Sequence, residues 1–123
     1  MVSKKFLVYW FPVIIYAAMI FIMSSMPKTL TESLYVFPHS DKVGHFFEYT
    51  IFGFLMIRAL NSSARPRTNI SLRTMAVLLC VLYAVTDEIH QHFIPSRSME
   101  FADLISDGLG AFIGQIFFKA RHQ

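Results

Sequence analysis

The sequence predicts an all-α membrane protein, a bundle of four transmembrane helices. Three observations carry that reading. Of 123 residues, 54% are hydrophobic and 15% are charged, whereas soluble domains carry about 25% charged residues. The apolar residues fall into four runs at regular spacing, separated by polar turns. The charges sort by sign toward the two ends of those runs. Thirteen Phe and seven Met suit lipid-facing and helix-packing surfaces. A length of 123 residues predicts one domain, 1–123.

The first helix is expected over about 6–25. Its run FLVYWFPVIIYAAMIFIM approaches the roughly 20 apolar residues needed to cross about 30 Å of hydrocarbon. Pro12 lies inside it, and membrane helices tolerate proline better than soluble ones do. Lys4 and Lys5 resemble the start of a signal peptide. The run is longer than a usual signal core of about 7–15 residues and no A-x-A site follows, so a retained helix is expected. The second helix is expected over about 41–60, through HFFEYTIFGFLMIRAL, and the third over about 71–92, with an apolar centre at 75–85. The fourth, about 101–118, begins with Asp103 and Asp107 and ends in Phe117 and Phe118. The polar connector NSSARPRTN holds the breaker Pro66, and PKTLTESLYVFPHS holds Pro27 and Pro38.

This alternation puts Lys4, Lys5, Arg58, Arg65, Arg67, Arg73, Lys119 and Arg121 on one side. Lys28, Lys42 and Arg97 fall on the other, with all eight acids: Glu32, Asp41, Glu48, Asp87, Glu88, Glu100, Asp103 and Asp107. Lys and Arg favour the cytoplasmic side of short loops. Both termini are therefore expected inside and the acids at the outer face of a cell inner (cytoplasmic) membrane. The formal net charge of +3 is only mildly basic, and no nucleic-acid partner is expected. The single cysteine, Cys80, excludes an internal disulfide and reads as a small buried hydrophobe.

Three helix ends should meet at the acidic face. The second brings Asp41, His45, Glu48 and Tyr49 near one stripe, the third brings Asp87, Glu88 and Gln91, and the fourth brings Asp103 and Asp107. Ionisable groups at membrane depth are costly and mark function by default. The ligand-binding set expected from this is Asp41, His45, Tyr49, Asp87, Glu88, Gln91, Arg97 and Asp103, with Asp87 and Glu88 as candidate acid/base groups. The bland alternative is acids that stabilise helix N-termini or sit among headgroups. Arg97 is expected to pair with a carboxylate, Asp103 or Asp87, since an unpaired buried charge is costly. Anion recognition is its second role. His45-x-x-Glu48 and Asp87-x-x-His90 place histidine and carboxylate three apart, but the spacing fits known bundle metal sites poorly. No metal and no cofactor are expected. Gly110-x-x-x-Gly114 permits close helix approach, within the chain or in a homo-oligomer.

The chain resembles the VanZ-like family of small polytopic membrane proteins. DKVGHFFEYTIFGFL is similar to the family's D-K-x-x-H-F-x-x-Y-x-x-L-G-F block, and DEIHQHFIPSR to its D-E-x-x-Q-x-F-x-P-x-R block. Asp103 and the LGAFIG tail, and the earlier MSSMP, extend the likeness over nearly the whole chain. Asp107 stands where the family often has Asn, and Ser96 where Gly is common. The resemblance implies an envelope role, because the name-giving member is linked to reduced susceptibility to teicoplanin, a lipidated glycopeptide. Membrane lipids and an envelope precursor or lipidated glycopeptide are then the expected partners. An intramembrane enzyme acting on a lipid-linked substrate is the alternative.

Overall fold

The computed structural model describes residues 1–31, 33, 37–63 and 69–119. Glu32, Arg65, Pro66, Arg67, Arg121 and His122 lie outside the described residues. Those described form an all-helical bundle. A π-helical turn, Phe6–Trp10, runs into α1 (Phe11–Ser24). The short α2 (Lys28–Thr31) precedes the two long helices, α3 (Ser40–Ser63) and α4 (Asn69–His92). Then come α5 (Phe101–Gly114) and a 3-10 turn, Gln115–Phe117.

Pro12 accounts for the opening of the first helix. It has no N–H, so the carbonyl four residues earlier, on Val8, loses its helical partner. Arg58 of α3 supplies one, with Nη2 donating to Val8 O at 3.2 Å. The same guanidinium lies 4.9 Å from the centre of the Tyr9 ring. Trp10 Nε1 donates to Ser63 Oγ at 2.6 Å. Arg73, on the first turns of α4, donates to Gln115 O at 2.7 Å and Phe118 O at 3.1 Å. The start of the first helix and the ends of α3 and α5 therefore share one end of the bundle with the start of α4. Arg58 and Arg73 lie there, with Lys4, Lys5 and Lys119 flanking. Every acid among the described residues lies toward the opposite end.

The buried stripe of α4 shows how the sequence sets this polarity. Leu72, Ala76, Cys80 and Ala84 follow at four-residue intervals, and the same face continues as Asp87, Glu88 and Gln91. In α5 the stripe is Asp103, Asp107, Gly110, Ala111 and Gly114. The outside is the reverse. Ile15, Ile22, Phe47, Leu78, Leu82, Phe112 and Ile116 are exposed. Apolar outside and carboxylate inside is the pattern of a bundle bathed in lipid.

Glycines bring α5 onto α3. A methyl group on Gly110 would collide with the Phe46 carbonyl oxygen, and one on Gly114 with that of Thr50. Gly53 of α3 meets the backbone of Ala111 in the same way. Both members of the Gly110–Gly114 pair are thus buried within the chain, and copies could associate through them only by displacing α3.

Among the described residues, three helical segments are long and apolar enough to cross a membrane: Phe6–Ser24, Ser40–Ser63 and Ile70–His92. The run expected at 101–118 is α-helical for 14 residues, about 21 Å at 1.5 Å per residue. The 3-10 turn adds roughly 6 Å. Together they reach about 27 Å, a shortfall that local thinning of a hydrocarbon core of about 30 Å accommodates. Arg73 holds the carbonyls at the end of this helix.

Candidate functional site

The carboxylates of the acidic end form two groups. In the first, Lys42 lies at the centre. Its Nζ donates to Glu100 Oε2 at 2.6 Å, Asp103 Oδ1 at 3.1 Å and Asp41 Oδ2 at 3.3 Å. An ammonium has three donors on one atom, which suits three separate carboxylates. This ties the first turn of α3 to the start of α5.

The second group is deeper. Nδ1 of His45 shares a 2.9 Å hydrogen bond with Asp107 Oδ1. Glu88 approaches from α4, and its Oε2 accepts the Glu100 backbone N–H at 3.2 Å. The Glu100 side chain does not cap α5, so Glu88 takes up part of that duty from another helix. Glu88 is 2% exposed and Asp107 1%. Among the described residues Glu88 Oε1 has no hydrogen-bond partner, and neither has the hydroxyl of the fully buried Tyr49. One turn away, Gln91 Nε2 donates to Asp87 Oδ2 at 3.3 Å.

Arg97 does not pair with Asp103 or Asp87, contrary to expectation. Its Nε donates to Met26 O at 2.6 Å and its Nη2 to Met23 O at 3.3 Å. The turn before it decides this. Ser96 adopts φ 63°, the left-handed region that favours glycine, and its hydroxyl accepts from Lys28 N at 3.0 Å. The chain is thereby turned toward the C-terminal end of α1, where the last carbonyls attract a cation. Ser25 Oγ and His90 Nε2, 2.9 Å apart, make a second link between α1 and α4.

A half-open pocket lies where these groups meet. Lys28, Asp41, His45, Gln91, Arg97, Ser98, Glu100 and Asp103 line it. Five of the expected ligand-binding residues, Asp41, His45, Gln91, Arg97 and Asp103, are among them. Tyr49, Asp87 and Glu88 are buried away from the lining. The sequence reading missed Lys42 as the hub of the acids, and Lys28, Ser98, Glu100 and Asp107 as site residues. Lys42 carried a signal: it precedes His45 by three and Tyr49 by seven, so all three share a helix face.

The two histidine–carboxylate spacings noted in the sequence make no ion pair among the described residues. His45 turns to Asp107 and His90 to Ser25. Two other trios bring ligand atoms within 4.8 Å of one another: His45, Glu88 and Asp107, and Asp41, Glu100 and Asp103.

A family model described as VanZ/LLP1 matches residues 6–122. The chain belongs to the VanZ/LLP1 family. The match takes in all five helices, so the acidic end is built from family sequence throughout. No curated protein and no solved structure matched the chain.

Proposed function

We propose that this VanZ-family protein crosses a bacterial cytoplasmic membrane four times, with both termini inside. Its acidic end then faces outward and recognises a polar group of an envelope component or of a lipidated glycopeptide such as teicoplanin, lowering susceptibility to it. One observation carries the reading. The pocket opens at the end of the bundle that gathers the acids, and carboxylates from α3 and α5 line it. The concentration of cations at the opposite end supports the orientation. The pocket admits one small polar group, so it would hold a polar head group while the rest of the ligand stays in the lipid or outside.

An intramembrane hydrolase or transferase on a lipid-linked precursor is the second reading. The partnerless Glu88 oxygen favours it, with Asp87 or Glu88 as acid/base. Arg97, which would hold the substrate phosphate, is instead committed to the α1 carbonyls, so binding is preferred.

The test is affinity for teicoplanin and for lipid-linked envelope precursors, measured on the full chain in lipid nanodiscs beside Asp41→Asn with Glu100→Gln. At least one ligand should bind, and the double variant should bind it about tenfold or more weakly, as expected for a lost charge-assisted contact. Failure of every ligand refutes the reading, and product in mass spectra shifts it to the enzyme. Cysteines at Ser33 and Ser98, in a Cys80→Ala background, should label from outside and one at Ser63 should not. The opposite pattern refutes the orientation.

A further inference from the structure

We propose that His45, Glu88 and Asp107 form a binding site for one divalent transition-metal ion, zinc before others, which ties α3, α4 and α5 together. The inference does not rest on the pocket's ligand. It rests on the contrast between the two trios. Asp41, Glu100 and Asp103 already enclose a cation, because Nζ of Lys42 bonds all three. Nothing equivalent serves Glu88 and Asp107. These two carboxylates are 2% and 1% exposed, and His45 is the only cation-capable group the ion pairs give them among the described residues.

The independent observation is Glu88 Oε1. It is a carboxylate oxygen on a buried side chain within the trio, and it has no hydrogen-bond partner. An anionic oxygen kept from water without a partner is expensive, and a metal ion would satisfy it directly. The donor set suits zinc. One imidazole nitrogen and two carboxylates favour a borderline metal over calcium or magnesium, which take oxygen. Three protein ligands leave a fourth position for water, as in catalytic zinc sites. The ligand atoms lie within 4.8 Å of one another. Tetrahedral donors at about 2.1 Å from zinc stand about 3.4 Å apart, so small rotations of the side chains close the site. Two carboxylates and a neutral imidazole also balance a divalent ion without residual charge.

The experiment uses the full chain in detergent, stripped with chelator and titrated with zinc chloride alone, with metal counted by mass spectrometry after gel filtration. One equivalent per chain is expected. Glu88→Gln and Asp107→Asn, which nearly preserve shape, should each weaken binding by roughly a thousandfold, beyond the 10–100-fold that changes outside the ligand shell cost. Asp41→Asn, in the trio that Lys42 already serves, should still take up one equivalent. X-ray absorption on the wild type should show a nitrogen and oxygen shell with no sulfur, so the site is checked even if a variant fails to fold. Wild type without metal above the detergent blank overturns the proposal. So does a metal retained by folded Glu88→Gln, or a shell containing the sulfur of Cys80.

Discussion

Replacing Gly114 with alanine tests the packing that sets the whole acidic end. The added methyl would collide with the Thr50 carbonyl oxygen, and it would lie 2.9 Å from the Thr50 carbonyl carbon and 3.1 Å from Phe54 N. All three atoms belong to the backbone of α3, so no side chain can rotate aside and the helices must separate. Overpacking costs typically 1–3 kcal/mol, and a backbone clash belongs at the upper limit. Alanine returns about 1 kcal/mol of helix propensity over glycine. The net loss is about 2 kcal/mol, or roughly 8 °C in Tm at about 4 °C per kcal/mol for a chain of this length. The chain carries its own reporter. Cys80 is its single cysteine and 0% exposed, so a thiol-reactive fluorogenic dye in detergent follows unfolding. Gly108→Ala and Gly44→Ala are the controls. A methyl on Gly108 meets only Val81 Cγ2, at 3.6 Å, and one on Gly44 meets nothing within 4 Å. Both should melt at or slightly above wild type. Gly114→Ala melting with them would refute the claim that α3 and α5 touch through their backbones.

Lys42→Met removes the hub of three carboxylates while keeping most of the stem. It should lower stability by about 1–3 kcal/mol, less than a fully buried break because Lys42 and Glu100 are 23% and 38% exposed. Thermal melts in low and high salt check it, and the deficit should shrink as salt rises. Arg97→Ala should cost about 1 kcal/mol through the lost cation at the end of α1. Because Arg97 bonds carbonyls there and no carboxylate, that deficit should shrink less with salt than the Lys42 one in the same melts.

The helices were legible because apolar run length and the position of charge encode them directly. The gathering of Asp41, Glu88 and Asp103 at one end was legible for the same reason, since alternation of the chain forces it. Partner choice was not. Arg97 and Lys42 are both cations near the same acids, and what separates them is the left-handed turn at Ser96 and the rotation of α3 about its axis. The 62-residue separation of His45 and Asp107 hides their pairing from any local pattern. The closing of α5 by Arg73 is likewise a contact between distant segments, which no local pattern shows.

The attachment of the first helix has a consequence for how this chain tolerates change. Its neighbours grip its main chain: Arg58 holds Val8 O, Tyr83 holds Ala17 O, and Arg97 holds Met23 O and Met26 O. A carbonyl is common to every residue type, so docking asks little of the side chains that carry those carbonyls. Drift among apolar residues at those positions leaves the grip intact, and selection to preserve it falls on three residues of other helices and loops. Substitutions on the outer face of the helix therefore leave these four main-chain contacts in place.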